Sequence, residues 1–296
     1  MSQARVEPSP LKTAERLAIA ATDGYPLVAL RYVAVDAPIA RVLIAPATGV
    51  AQSYYARFAR ALAARGFEVL SLDYRGIGLS KPENLRGFEA DFEMWAARDF
   101  RALVDAQPDD LPLLHVGHSI GCHVLGMSDV GDRFRGSWMF APGAGWYGYM
   151  DFVERLKVLF SWHVAMPLMA APVGYLPWSL AGMGEDLPLG VYRQWKRWCQ
   201  LPHFFADDPK VAHLVPRCER LRLPIYAYTA LDDLWAPPAS RDAFLGSTYT
   251  QATVHRADLP VQKKGEIGHV GYFRSSQQAL WERVGDEMLA VVDGLK

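Results

Sequence analysis

Gly117-His118-Ser119-Ile120-Gly121 holds a serine between glycines two residues away on either side. That spacing lets a chain turn sharply out of a strand and project a hydroxyl from the edge of a sheet. A serine hydroxyl attacks a carbonyl only when a base takes its proton, and an imidazole serves best when a carboxylate fixes its tautomer. Both partner types lie downstream. Thr229-Ala230-Leu231-Asp232-Asp233-Leu234-Trp235-Ala236-Pro237 sets two aspartates where an apolar run ends and a proline-initiated helix can begin. Gly268-His269-Val270-Gly271 flanks a histidine with glycines that let the ring reach over a sheet edge. The order serine, carboxylate, histidine is the one expected for a nucleophile on such a turn. The chemistry implied is acyl transfer through a serine ester, with Asp232 and Asp233 both open as the carboxylate.

The other histidines have plainer roles. His118 lies inside the turn, and His115 and His123 belong to the strand and helix on either side of it. Their spacing to Cys122 resembles metal ligation, but a strand and a helix leaving a sharp turn do not converge four ligands. No metal or organic cofactor is expected. His163, His203 and His213 fall in a long intervening segment, and His255 in a strand.

These groups need a scaffold, and the chain patterns one. Arg16 to Thr22 and Tyr25 to Val35 meet at Asp23-Gly24, a hairpin signal. Arg41 to Pro46, Phe67 to Asp73, Leu111 to His118 and Ser137 to Pro142 read as strands buried on both faces. Helical patterns separate them. Ser53 is placed to cap one, with Tyr54, Phe58 and Leu62 at four-residue spacing before Gly66 ends it; Phe92, Ala96, Phe100 and Leu103 mark another. The alternation predicts an α/β fold with a mostly parallel sheet of eight strands covered by helices on both faces. The sheet resumes at Leu223 to Thr229 and Ala252 to Ala257, and a last helix carries Leu280, Val284, Met288 and Val291. Between Ala144 and Arg217 no buried strand appears, yet Trp146, Trp162, Trp178, Trp195 and Trp198 do. The expected organisation is a core of residues 1–143 and 218–296 with a helical cap inserted at 144–217.

Composition excludes several function classes. The 296 residues carry 31 Lys+Arg and 32 Asp+Glu, a net charge of -1, with 51% apolar residues. That balance leaves no electrostatic footprint for nucleic acid. Cys122, Cys199 and Cys218 are an odd, scattered set without zinc or disulfide spacing, and Met1 to Lys12 has no apolar signal region. A cytoplasmic location is expected. Val158 to Gly184 contains no Asp, Glu, Lys or Arg, but Pro167, Pro172 and Pro177 argue for an apolar lid rather than a spanning helix.

These motifs together resemble the α/β-hydrolase superfamily over most of the chain, from about Glu15 onward. Asp73-Tyr74-Arg75-Gly76-Ile77-Gly78-Leu79-Ser80 is similar to the family's turn after its fourth strand, and Gly117 to Gly121 to its nucleophile elbow. Within the superfamily the chain resembles the monoglyceride-lipase and serine-aminopeptidase-like branch, especially bacterial predicted hydrolases of unassigned substrate. Ala47-Thr48-Gly49-Val50, Tyr192 to Cys199 and Gly268 to Phe273 carry that likeness. The resemblance implies Ser119 as nucleophile, His269 as base and Asp233 as acid, since Asp233 stands four residues before Pro237. It also implies an oxyanion hole from the backbone N–H groups of Ile120 and Thr48. Two residues depart from the pattern. Pro46-Ala47 replaces the usual His-Gly, which leaves the second oxyanion donor open by one residue, and Cys122 replaces a second glycine.

The implied reaction is hydrolysis of a carboxylic ester through an acyl-enzyme, with thioester or amide cleavage and acyl transfer as variants of the same chemistry. Trp146, Trp162, Trp178, Trp195 and Trp198 are expected either to line an acyl pocket or to form the cap's own core. The expected partner is a small-molecule acyl substrate, with peripheral contact of the cap with micelles or bilayers. A non-catalytic ligand receptor on the same scaffold is the rival from another class.

Overall fold

The computed structural model describes residues 14–261 and 267–295. Eight strands form one sheet: β1 (Glu15–Ala20), β2 (Pro26–Tyr32), β3 (Ala40–Ala45), β4 (Phe67–Leu72), β5 (Leu113–His118), β6 (Phe134–Phe140), β7 (Pro224–Ala230) and β8 (Thr253–Leu259). Their order is β1-β2-β4-β3-β5-β6-β7-β8. Pairing is antiparallel for β1 with β2 and β2 with β4, and parallel across the rest. β3, β4 and β5 are buried at every residue, as expected of strands covered on both faces. Within β3 the side chains alternate: Leu43 and Ala45 enter one core cluster, Val42 and Ile44 the other. The last strand lies one to two residues beyond its expected bounds because, as an edge strand with much of its surface exposed, it has little apolar signal at its ends.

The topology locates a crevice. The chain leaves β3 to build β4 on one side and β5 on the other, so the loops at the carboxyl ends of β3 and β5 diverge to opposite faces. Ligand sites of open α/β sheets lie at such switch points. Ala45 is paired with Gly117, so the loop carrying Thr48 and the turn carrying Ser119 emerge side by side.

Local chemistry holds the neighbouring turns. Asp73, at the end of β4, accepts the N–H groups of Gln52 (2.7 Å) and Leu79 (2.8 Å). Ser53 therefore makes no cap: a 3-10 turn, Gln52–Tyr55, leads into the helix Ala56–Ala63, and the carboxylate from the next strand does that work. Arg75 ties the first hairpin to the sheet through Asp23 (2.7 Å) and the buried Asp99 (2.7 Å).

Between β6 and β7 the chain is helical, apart from one bridge between Leu176 and Leu187. Phe152–Phe160 continues through a π turn, Ser161–Ala165, into Met166–Ala170, with Pro167 at the start of the last piece. A proline is tolerated there because the first turn of a helical piece needs no N–H from it. The helix Leu189–Trp198 packs beneath. Val215–Glu219 packs on the helix Ile120–Met127. Among the described residues no helix is long and apolar enough to cross a membrane.

Candidate active site

Ser119 occupies a strained position, with φ 53° and ψ −116°. Such a backbone costs on the order of 1–3 kcal/mol and survives only where its surroundings enforce it. Here they do. The Ser119 N–H donates to the Phe140 carbonyl (3.0 Å), and the Ser119 carbonyl accepts the Cys122 N–H (2.9 Å). The flanking glycines are sterically required. A Cβ on Gly117 would lie 2.8 Å from the Cys122 backbone, and one on Gly121 would run into the Ala45 carbonyl oxygen. Cys122, the departure noted in the sequence, is buried with its Sγ 3.6 Å from the Phe140 carbonyl.

His269 Nε2 lies 2.9 Å from Ser119 Oγ, and its Nδ1 lies 2.8 Å from Asp233 Oδ2. A carboxylate accepts, so Nδ1 carries the proton and Nε2 is left to accept from the serine. The two aspartates part company. Asp233 turns Oδ2 to the imidazole while Oδ1 accepts the N–H groups of Trp235 (2.8 Å) and Ala236 (3.0 Å). Asp232 instead accepts the N–H of Gly268 (2.9 Å), which pins the histidine loop where Gly268 adopts φ +54°.

The electrostatics follow from this pairing. Burial pushes the Asp233 pKa up, but the His269 imidazole and the two N–H donors outweigh it and leave it below the usual carboxylate value. Burial pushes His269 down, and the charge and hydrogen bond of Asp233 reverse that, leaving it above its ordinary value. His115, His118 and His123 are each lowered to about 3 by burial and are neutral. Their partners are structural: Ser137 Oγ for His115, Tyr55 and the His269 carbonyl for His118, and the Gly143 carbonyl for His123.

Ile120 is the first residue of the helix Ile120–Met127, so its N–H has no intrahelical acceptor. On the β3 side the Ala47 N–H is already bound to Tyr55 Oη (2.9 Å), so it is not free for a substrate oxygen; Thr48 borders the cavity next to it.

Two cavities flank Ser119. One, of about 30 Å³, is lined by Phe92, Ile120, His123, Gly143 and Phe204. The other, of about 180 Å³, is lined by Val50, Trp178, Met183 and Val270. Thr48, Ser119, Trp195, Trp235 and His269 border both. Of the five expected tryptophans, Trp178 and Trp195 therefore face the cavities. Three do not. Trp162 is buried behind Trp195, their rings 5.0 Å apart and edge to face. Trp198 is fully buried between Phe92 and Phe204, its Nε1 donating to Asp208 (2.8 Å). Trp146 packs on Tyr147 and Tyr149, away from both cavities. Trp195 and Trp198 are three residues apart on one helix and so share a face; what separates them is their neighbours, Trp178 and Trp235 at the crevice for Trp195 and Phe92 and Phe204 in the core for Trp198.

Trp235 was missed as a lining residue, although its place two residues after Asp233 was the available signal. Val50, Met183 and Val270 had none, because what they border depends on how separate loops meet. A larger surface cleft, lined by Glu89, Asp91, Arg193 and others, contains none of Ser119, Asp233 and His269.

Residues 36–181 match the family model described as "Serine aminopeptidase, S33". No curated protein matches the chain. Among solved structures, a monoglyceride lipase from Saccharomyces cerevisiae aligns with TM-score 0.66 and 16% identity over 98% of this chain and 99% of that one. A carboxyl esterase from Bacillus coagulans aligns with TM-score 0.64 and 14% identity over 95% and 99%. The thioesterase domain from the curacin biosynthetic pathway aligns with TM-score 0.57 and 14% identity over 92% and 99%. Likeness at these identities concerns the fold.

Proposed function

We propose that the chain, whose residues 36–181 match the serine aminopeptidase family model and whose fold is shared with an esterase and a lipase, is an α/β-hydrolase that acts as a serine hydrolase of carboxylic esters with an apolar acyl chain. The observation that carries this reading is the hydrogen-bonded run from Ser119 through His269 to Asp233 beside an apolar cavity. In the first step Ser119 Oγ adds to the ester carbonyl while His269 Nε2 takes its proton. The oxyanion is met by the N–H groups of Ile120 and Thr48, and collapse expels the alkoxide, which leaves with the proton from His269. In the second step water, deprotonated by His269, adds to the acyl-enzyme, and the acid departs as Ser119 recovers its proton. Asp233 stays ionised and holds the imidazole in the required tautomer. Trp178, Met183 and Trp195 supply the apolar wall.

The same steps cleave a thioester or an amide, or transfer the acyl group to another alcohol, so substrate panels choose among them. The named relatives include an esterase, a lipase and a thioesterase, which supports the ester-type reaction class. We place the enzyme in the cytoplasm on its cysteine usage. The solvent side of the cap helix bears Phe152, Leu156, Phe160 and Leu168, all exposed, which supports peripheral contact with a lipid or micelle surface.

The deciding experiment is labelling with a fluorophosphonate followed by mass spectrometry, beside turnover of p-nitrophenyl octanoate. One adduct on Ser119, absent from Ser119→Ala, is expected. An unlabelled, folded protein that still binds octanoate would instead mean a non-catalytic receptor.

A further inference from the structure

The hydrolysis proposed above needs two loops in register with Ser119: the one after β3, which carries Thr48, and the one that carries His269. Tyr55 and His118 join them through the interior. Tyr55 is fully buried, and its Oη accepts the Ala47 N–H (2.9 Å) and lies 2.8 Å from His118 Nδ1. His118, also fully buried, places Nε2 at 2.7 Å from the main-chain carbonyl oxygen of His269.

The proton positions follow from what each group can do. A carbonyl only accepts, so His118 Nε2 carries a proton. Burial keeps the His118 ring neutral, so Nδ1 is a bare acceptor and the Tyr55 hydroxyl donates to it. The bonds thus run one way: Ala47 N–H to Tyr55 Oη, Tyr55 O–H to His118 Nδ1, His118 Nε2–H to the His269 carbonyl. Phe273 packs edgewise on Tyr55 (4.7 Å between ring centres) and against His118 (5.2 Å), holding both rings in place. From the same 3-10 turn, Tyr54 donates to the Val270 carbonyl (2.5 Å), a second tie to the histidine loop.

We infer that Tyr55 and His118 are positioning residues, which set the oxyanion loop and the His269 loop against each other through this chain of hydrogen bonds. The inference rests on the hydrolase reading. Neither side chain is placed on the substrate. Two phenylalanines would fill the same space in the core; what distinguishes this pair is that both ends of the chain finish on main-chain groups of the two loops that flank the nucleophile. Occupying the Ala47 N–H also leaves Thr48 as the next donor offered to the oxyanion.

The test is Tyr55→Phe, which keeps the ring and removes the hydroxyl. Parent and variant are titrated for competent sites with a fluorophosphonate and assayed with p-nitrophenyl octanoate. Their affinities for an octyl trifluoromethyl ketone, which forms the serine-bound oxyanion, and for the matching methyl ketone are also measured. A loss of position rather than of contact predicts that kcat per titrated site falls about 10–10²-fold while KM stays within about twofold. The trifluoromethyl ketone should lose affinity by the same factor as kcat/KM, and the methyl ketone none. A variant with parental kcat per site and parental trifluoromethyl ketone affinity overturns the inference and leaves the hydrolase reading standing. A parent that is not labelled at Ser119 overturns both. Should Tyr55→Phe fail to fold, ¹⁵N spectra of histidine-labelled parent protein decide. His118 is expected as the Nε2–H tautomer, unchanged from pH 5 to pH 9, and an Nδ1–H tautomer or a titration in that range overturns the chain.

Discussion

The crevice at the end of β3 and β5 and the helical segment above it are built on opposite terms. In the crevice nearly every polar group is assigned. Asp233 accepts from one ring and two N–H groups, Asp232 from a third N–H, and Ala47, Tyr55, His118 and His269 form a continuous run. In the overlying segment most of the side chains nearest the crevice are apolar, and on its outer side Phe152, Leu156, Phe160, Leu168 and Leu180 are exposed. Directional bonds hold a few atoms to a geometry, as bond-making demands, whereas apolar contact selects by size and shape and tolerates rearrangement. The difference teaches that, on the proposed function, chemistry and selectivity would be carried by separate layers, so substitutions in each should fail differently.

The most severe expected failure is in the crevice. Asp233→Asn should lower kcat/KM by about 10³–10⁴-fold, because the imidazole loses the acceptor that sets its tautomer. Asp232→Asn should cost far less, since a side-chain amide oxygen can still accept the Gly268 N–H. Comparable losses from both, measured on p-nitrophenyl octanoate, would break the distinction between the two carboxylates.

In the cap, Trp198→Ala should destabilise the fold by about 3–5 kcal/mol in urea unfolding, as a large buried side chain is removed. Its preference among acyl chains should be unchanged. Trp195→Ala should do the reverse, eroding octanoate over acetate preference by about tenfold with a smaller stability loss. Swapped outcomes would mean that the cavity wall has been misplaced on this helix.

Protonation sharpens the comparison further. In the proposed reaction His269 acts as a base only when neutral, and its pKa is raised, so kcat/KM should fall tenfold per pH unit below a midpoint above 6.5. In Asp233→Asn the midpoint should move to lower pH, because the carboxylate that raises it is gone. Substitutions over the cap should leave it unmoved.

The smallest expected effect is on the outer surface. Phe160→Ser and Leu168→Ser should each change stability by no more than about 0.5 kcal/mol, as exposed side chains do. Flotation with neutral liposomes should nevertheless show less protein in the lipid fraction. Equal flotation of parent and variants would remove the lipid contact from the proposal.

Some of this was legible in the chain because it is local. Glycines two residues either side of Ser119 leave room for one kind of turn, and apolar runs such as Ala40–Ala45 have no stable place except between two covered faces. The strand and helix alternation and the order of serine, carboxylate and histidine could be read the same way, one segment at a time. Ser53 misled because a helix start can be satisfied by any acceptor that arrives, and Asp73 arrives from another strand. The tryptophans stayed open between pocket and core for a related reason. A sequence shows that a residue is large and apolar, but the direction it faces depends on what packs on its helix. Which aspartate meets His269, which tryptophans border Ser119, and the run from Ala47 through Tyr55 and His118 to the His269 loop all join residues far apart in the chain. Such contacts depend on distances between loops that only the closed sheet and its packed helices set.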